Sequence, residues 1–208
     1  MPYCDHNYLK YYKPKKEDIV LDLGASLGEF ENDNLSLLKE KNCKIICVEP
    51  TLWCLDKLAN YMSENFALDK FIILSLGTSK ENTCLSFENT SSHVLNCISS
   101  LDSTKNKYDV TSKVSKVPVI SLDTLLDITG EIDFCKCDIE GGEIDTFLYS
   151  KNIRKIKNLA IASYHVVNGE ETYIKLKSFF EKNGFEVKYE KEKYLDFEPQ
   201  SMLYCTRR

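Results

Sequence analysis

The 208 residues, 43% hydrophobic and 28% charged, have the length and balance of a single α/β-sized globular domain and exclude a disordered chain. Lys and Arg number 27 against 32 Asp and Glu, and the net charge of -5 excludes nucleic-acid binding through a broad basic surface. No run approaches the ~20 apolar residues of a membrane span, and Met1–His6 lacks the apolar stretch of a secretory signal. Nine cysteines are an odd number without zinc spacing, and several lie in apolar runs, so they read as reduced, packed thiols of a cytoplasmic protein.

Along the chain, short apolar runs alternate with helical periodicity. Asp18–Leu23 reads as a buried strand that turns through Gly24-Ala25-Ser26-Leu27-Gly28 into a helix carrying Phe30, Leu35, Leu37 and Leu38. Lys44–Val48 is a second strand. The helix after it places Leu52, Leu55, Ala59, Met62 and Phe66 on one face. Further strands are Phe71–Leu74, Ile132–Asp138 and Leu159–Ser163, with a helix over Glu143–Tyr149. This alternation predicts a parallel sheet covered on both faces. A helix over Glu170–Asn183 stops at Gly184, and Phe185–Tyr189 and Ser201–Cys205 follow with no crossover helix, so they pair antiparallel. The polar stretch at about 78–117, with Thr83–Glu88 its one strand-like piece, reads as an insertion on a domain spanning 1–208.

Chemistry concentrates at the strand ends, where open α/β sheets bind ligands. The Asp22-to-Gly28 turn lacks the middle glycine of a G-x-G-x-x-G dinucleotide site, and the acid before it suits an ammonium better than a phosphate. Glu49 ends the second strand about 20 residues on, where a carboxylate accepts ribose hydroxyls. Asp138, Glu140 and Glu143 cluster after the fourth parallel strand beside Gly141 and Gly142. Acids at a helix start are favoured by its dipole, which accounts for Glu143 better than for Asp138.

These pieces resemble the FkbM family of S-adenosylmethionine-dependent methyltransferases. The resemblance runs through Asp18–Phe30, Val48-Glu49-Pro50, Leu76-Gly77, Val119–Leu125, the Ile132–Glu143 block and Asn183-Gly184-Phe185, in the family's order; Lys136-x-Asp138-x-Glu140-Gly141-x-Glu143 is its most specific part. It implies a seven-stranded Rossmann-like class I methyltransferase sheet, mostly parallel, with one reversed strand penultimate in spatial order. It also implies O-methylation of a small molecule or glycan. The cofactor S-adenosyl-L-methionine would lie against Asp22, Gly24, Ala25, Gly28, Glu49 and Asp138, with Leu76 and Gly77 near the adenine. The family's strand after the block often ends in an acid followed by a histidine. Here it reads Ala162-Ser163-Tyr164-His165, with the histidine and without the acid. No metal site is assigned, although Asp138 and Glu140 offer oxygen ligands for a divalent ion. Asp138 and His165 are the expected catalytic pair, with a neutral His165 taking the acceptor's proton. His6 belongs to a terminal segment expected to be mobile, and His93 to the insertion. The alternatives are a methyltransferase-shaped nucleoside-binding module without transfer activity and, less well matched, a nicotinamide oxidoreductase.

Overall fold

The computed structural model describes residues 6–89, 97–98, 113–192 and 200–208. In chain order the elements are β1 (Ile19–Leu23), α1 (Glu29–Asp33), α2 (Leu35–Glu40), β2 (Lys44–Val48), α3 (Leu52–Asn65), β3 (Phe71–Leu74), β4 (Gly77–Ser79), β5 (Thr83–Asn89), β6 (Cys97–Ile98) and β7 (Lys113–Ser121). There follow α4 (Leu122–Thr129), β8 (Ile132–Cys137), α5 (Glu143–Phe147), β9 (Ile156–Ala162), β10 (Val166–Val167), β11 (Glu170–Glu171), α6 (Thr172–Lys182), β12 (Phe185–Glu192) and β13 (Gln200–Arg207).

Seven strands form one sheet in the order β12-β13-β9-β8-β1-β2-β3. The neighbours from β9 through β3 are parallel, and β13 runs antiparallel to both β9 and β12. The reversed strand is therefore penultimate, as the resemblance implied. β12 ends at Glu192 and β13 begins at Gln200, too short a separation for a parallel crossover, and the two pair antiparallel.

Alternate residues of each central strand feed opposite cores. Leu21, Leu23, Cys135, Cys137, Leu159 and Ile161 pack with α4, α5 and α6 through Leu125, Phe147 and Phe180. Val20, Ile45, Cys47, Phe134 and Ala160 pack on the other face with Phe30, Leu58, Met62 and the N-terminal residues Tyr8 and Leu9. Cys135 and Cys137 thus share a face, and the seven cysteines whose side chains are described are free, six of them buried. His6 is buried too, contrary to the expectation of a mobile terminal segment: its ring lies 5.6 Å from that of Tyr8 and 5.5 Å from that of Tyr164. His93 lies outside the described residues.

Three further expectations are corrected. α3 buries Cys54, Leu58, Tyr61 and Met62 and leaves Leu52 exposed, because the sequence carries two overlapping apolar stripes and the one that meets Gly28 packs. The polar stretch after β3 contributes to a second sheet, β4-β7-β5-β6, in which β7 pairs antiparallel with β5 and its Val117 and Val119 pack on Phe87. The segment before α6 is a tight hairpin, β10-β11, turned by Asn168 and Gly169, both with positive φ (53° and 81°), the backbone a two-residue type I′ turn requires. Among the described residues, no helix is long and apolar enough to cross a membrane.

Candidate active site

The carboxyl ends of β1, β2, β8 and β9 bring Gly24–Gly28, Glu49, Asp138 and His165 to one edge of the sheet. The glycine turn is built by the chain against itself. Gly24, at φ 84°, lies so close to the next strand that a Cβ there would stand 1.9 Å from the Asp138 carbonyl oxygen. Gly28, at φ 86°, meets Tyr61 and Leu58 of α3, which a Cβ would approach to 3.0 and 3.2 Å. The motif alone suggests that these glycines make room for a ligand; the room they make is for β8's end and α3. The turn's amides are committed as well. Gly24 N and Ala25 N donate to Val48 O, Ser26 N to Glu49 Oε2 and Leu27 N to Glu29 Oε2. A pyrophosphate would find no free nest of N–H groups there.

Glu49 accepts from Ser26 N (2.9 Å) and from Thr51 N (2.7 Å), which fixes its carboxylate beside the turn with lone pairs to spare. Burial raises its pKa against the pull of those bonds. Leu76 follows β3, its amide donating to Leu74 O, and its partly buried side chain packs against the core. Gly77 begins β4 opposite Val119. The Glu49 amide also donates to Leu74 O, which brings Leu76 close to Glu49.

Asp22 is fully buried and does not face the site. Register explains this: Asp22 is flanked by Cys47 of β2 and Lys136 of β8, so the three share one sheet face. Lys136 Nζ lies 2.9 Å from Asp22 Oδ1 and donates to Gly24 O at 2.6 Å, tying strand to turn. Glu31 of α1 completes the cluster and accepts from Cys47 Sγ. Burial, then the charge of Asp22, push the Glu31 carboxyl well up, so Glu31 is the acid that keeps its proton while Asp22 pairs with Lys136. The expected place of Asp22 is against the ligand's ammonium; the ammonium it meets is Lys136. Two charges in register on apolar central strands are the available signal for that pair.

Around His165 three carboxylates converge. Nδ1 lies 2.9 Å from Glu143 Oε1, while Nε2 lies 3.7 Å from Asp138 Oδ1 and 3.6 Å from Glu140 Oε2. Glu143, fully buried at the start of α5, also accepts from the amides of Ile139 and Gly141. Glu140 is held in the left-handed region at φ 53°, an uncommon backbone for a non-glycine residue. Tyr8, from the N-terminal segment, donates its hydroxyl to Asp138 Oδ2 at 2.8 Å, a contact between sequence-distant residues that local pattern does not signal.

Burial alone would lower the His165 pKa. Glu143, by charge and hydrogen bond, then Glu140 and Asp138, overturn that and raise it to about 10. At pH 7 the imidazole therefore carries a proton. This corrects the expectation of a neutral, proton-accepting His165, which rests on the unperturbed pKa.

The strand-end set fits a cationic nucleoside such as S-adenosylmethionine. It offers Glu49, Asp138 and Glu140 as acceptors, and the lysine beneath the turn, Lys136, is already paired with Asp22. A cavity of about 240 Å³ lies elsewhere, lined by Ile19, Lys44, Phe71, Ile72 and Ile128 among others at the amino ends of β1, β2 and β3, and holds none of the expected site residues.

Residues 22–200 match the family model described as the methyltransferase FkbM domain. The fold is similar to the crystal structure of methyltransferase FkbM from Methylobacillus flagellatus KT, with a TM-score of 0.67 at 16% identity over 95% of this chain and 45% of that one. This chain thus spans less than half the length of that relative. It is also similar to Aeropyrum pernix fibrillarin, solved with natively bound S-adenosyl-L-methionine (TM-score 0.57, 12% identity, 95% of this chain and 70% of that one). A third likeness is to TrmK of M. capricolum in complex with S-adenosyl-homocysteine (TM-score 0.54, 11% identity, 93% and 63%). No curated protein matches the sequence. At these identities the structural likenesses establish the fold.

Proposed function

The chain belongs to the FkbM methyltransferase family, whose cofactor is S-adenosylmethionine, and from that premise we propose that it methylates a hydroxyl group of a small molecule or glycan. The observation that carries this reading is the placing of Glu49, Asp138 and His165 at one sheet edge, beside a glycine turn whose amides are already spent. The acceptors Glu49 and Asp138, beside a turn without free backbone N–H groups, suit a sulfonium nucleoside better than a phosphate-bearing one.

In this reading Glu49 takes the ribose hydroxyls, the Gly24–Gly28 turn, with Ala25, borders the amino-acid end, and Leu76 and Gly77 border the adenine. Asp138 faces the ammonium or the path of the methyl group. S-adenosylmethionine, held there, would supply an electrophilic methyl group on a sulfonium. The chain's share is positioning and removal of one proton. His165, already protonated, orients Asp138 and Glu140, and a carboxylate would accept the proton of the acceptor hydroxyl.

Calorimetry against S-adenosylmethionine and NAD tests the cofactor, and binding of NAD alone would overturn the reading. Single-turnover transfer of a labelled methyl group to a panel of hydroxyl acceptors tests the activity. Asp138→Asn should lower that rate by ~10²–10⁴ with the sheet still folded. A protein that binds S-adenosylmethionine and methylates nothing across sugar and phenol acceptors would instead be a nucleoside-binding module.

A further inference from the structure

We propose that the space between His165 and Asp138 is the pocket for the methyl acceptor's hydroxyl, and that it selects a neutral oxygen nucleophile and leaves aliphatic amines unmethylated. The proposal deepens the methyl-transfer reading and rests on it for its chemistry, though not for the geometry of the pocket.

Two unserved atoms carry it. The His165 side chain is nine-tenths buried, and its Nε2 makes no hydrogen bond among the described residues. Asp138 Oδ1, the oxygen facing that nitrogen, is likewise enclosed without a donor, although Tyr8 serves Oδ2. Buried polar atoms are rarely left in this state. The two stand 3.7 Å apart, too far for a direct N–H···O bond and close enough for one oxygen to reach both at about 2.7–2.9 Å. On the far side of the ring Nδ1 lies 2.9 Å from Glu143 Oε1, so Glu143 holds the imidazole with Nε2 turned to the pocket.

The polarity of the pocket is defined at both ends. The protonated ring offers an N–H at Nε2 and no lone pair, whereas the Asp138 carboxylate only accepts. A group that bridges them must accept from one and donate to the other. A hydroxyl does both and keeps a second lone pair. That pair forms the new bond to carbon, the hydroxyl proton passes to Asp138 Oδ1, and the electrons of the broken carbon–sulfur bond stay with sulfur. His165 fixes the oxygen, and Asp138 takes its proton.

Charge decides between oxygen and nitrogen. Three carboxylates, Asp138, Glu140 and Glu143, face a single imidazolium. An aliphatic amine, with an ordinary pKa of about 10, is an ammonium at pH 7, and surplus negative charge raises that value further. An ammonium has donors and no lone pair, so it can neither accept from Nε2 nor take up a methyl group. A hydroxyl stays unprotonated at oxygen and remains a nucleophile.

The first test is a crystal structure of the full chain with S-adenosylhomocysteine, soaked with ethylene glycol as the hydroxyl probe. One oxygen, from water or the glycol, is expected within hydrogen-bond distance of both His165 Nε2 and Asp138 Oδ1. A direct bond between those two atoms, or a metal ion on them, overturns the proposal. Nitrogen-15 resonances of the imidazoles should show both nitrogens of His165 protonated at pH 7, and a neutral ring overturns it as well. The second test takes each hydroxyl compound that accepts a labelled methyl group and replaces the reacting hydroxyl by an amine. Transfer to that nitrogen should be at least ~100-fold slower at pH 7, and equal rates remove the selectivity. His165→Gln should lower the single-turnover rate on the hydroxyl by ~10-fold or more with S-adenosylmethionine affinity within about twofold; an unchanged rate removes His165 as the donor. Methylated hydroxyls with the pocket closed overturn the proposal and leave the methyltransferase. An oxygen in the pocket of a chain that binds no S-adenosylmethionine in calorimetry overturns the methyl-transfer reading, and with it the pocket's role.

Discussion

Two groups of acids flank the end of β8, and they have opposite fates. On the inner side Asp22 and Glu31 share Lys136 in a sealed pocket beneath the glycine turn. On the outer side Asp138, Glu140 and Glu143 surround His165 at the sheet edge, with Asp138 and Glu140 partly open to solvent. Depth separates them. Inside, no water can serve an unpaired charge, so one proton and one lysine balance two carboxyls and the result is a rigid support. Outside, three acids against one imidazole leave surplus negative charge, which a cationic ligand can use. A carboxylate at a strand end is therefore not itself a sign of chemistry. Its partner decides.

Breaking the inner cluster should have the largest effect. Lys136→Met leaves Asp22 buried and unpaired, and removing one partner of a buried ion pair costs about 3–5 kcal/mol. Urea unfolding would read this loss, and a loss below about 1 kcal/mol would mean that Asp22 is not held as an ion. Glu31→Gln should be neutral or stabilising at pH 7. Its carboxyl has a raised pKa in the fold, so its stabilisation is present below about pH 4.5 and is lost as pH rises towards the folded value; glutamine keeps the shape without that loss.

The outer cluster answers to pH in a different range. His165 is raised from 6.5 to about 10, so its contribution is complete below pH 6.5 and is lost as pH climbs through 10. Unfolding free energy should fall across that interval by a few kcal/mol, since each tenfold gain in proton affinity is worth ~1.4 kcal/mol and water relieves part of it. The His165→Gln profile should be flatter over the same range. Parallel profiles for the two proteins would return the imidazole to an ordinary, neutral state.

Glu49 stands between the two clusters, buried like the first yet at the ligand edge like the second. Glu49→Ala should weaken S-adenosylmethionine binding by about 1.5–3 kcal/mol, the range for hydrogen bonds to a charged group. Unchanged affinity in calorimetry would assign it to holding Ser26 and Thr51 alone.

The inner and outer clusters also differ in how far the sequence announces them. Periodicity and the residues after each strand locate the main sheet, its reversed strand and the edge where Glu49, Asp138 and His165 meet. Those signals are local, and the central strands are apolar enough to be unambiguous. The Asp22–Lys136 pair requires strand register, which depends on which strands become neighbours. The protonation of His165 requires Glu143 to fold back on it. β7 is hidden because Val117 and Val119 alternate within an otherwise polar stretch, whereas Asn168-Gly169 is a plain hairpin signal that the helical pattern after it overshadows. The true face of α3 depends on Gly28, 30 residues before Leu58.

Tyr8 offers the finest adjustment. It comes from a segment to which sequence pattern assigns no element, yet its ring packs in the core beside Phe30 and its hydroxyl donates to Asp138 at 2.8 Å. The ring also lies 5.7 Å from Lys136 Nζ, so one side chain touches both clusters. Tyr8→Phe keeps the packing and removes only the donor. It should cost about 1 kcal/mol of stability, near the mean for one hydrogen bond, with the inner cluster intact. Its sharper effect should fall on the outer one. Asp138 Oδ2, no longer held by that donor, is free to turn, so the single-turnover methyl-transfer rate should fall several-fold while S-adenosylmethionine affinity stays within about twofold. An unchanged rate together with the lost stability would make Tyr8 a packing residue, and the segment it belongs to would close the core without tuning the site.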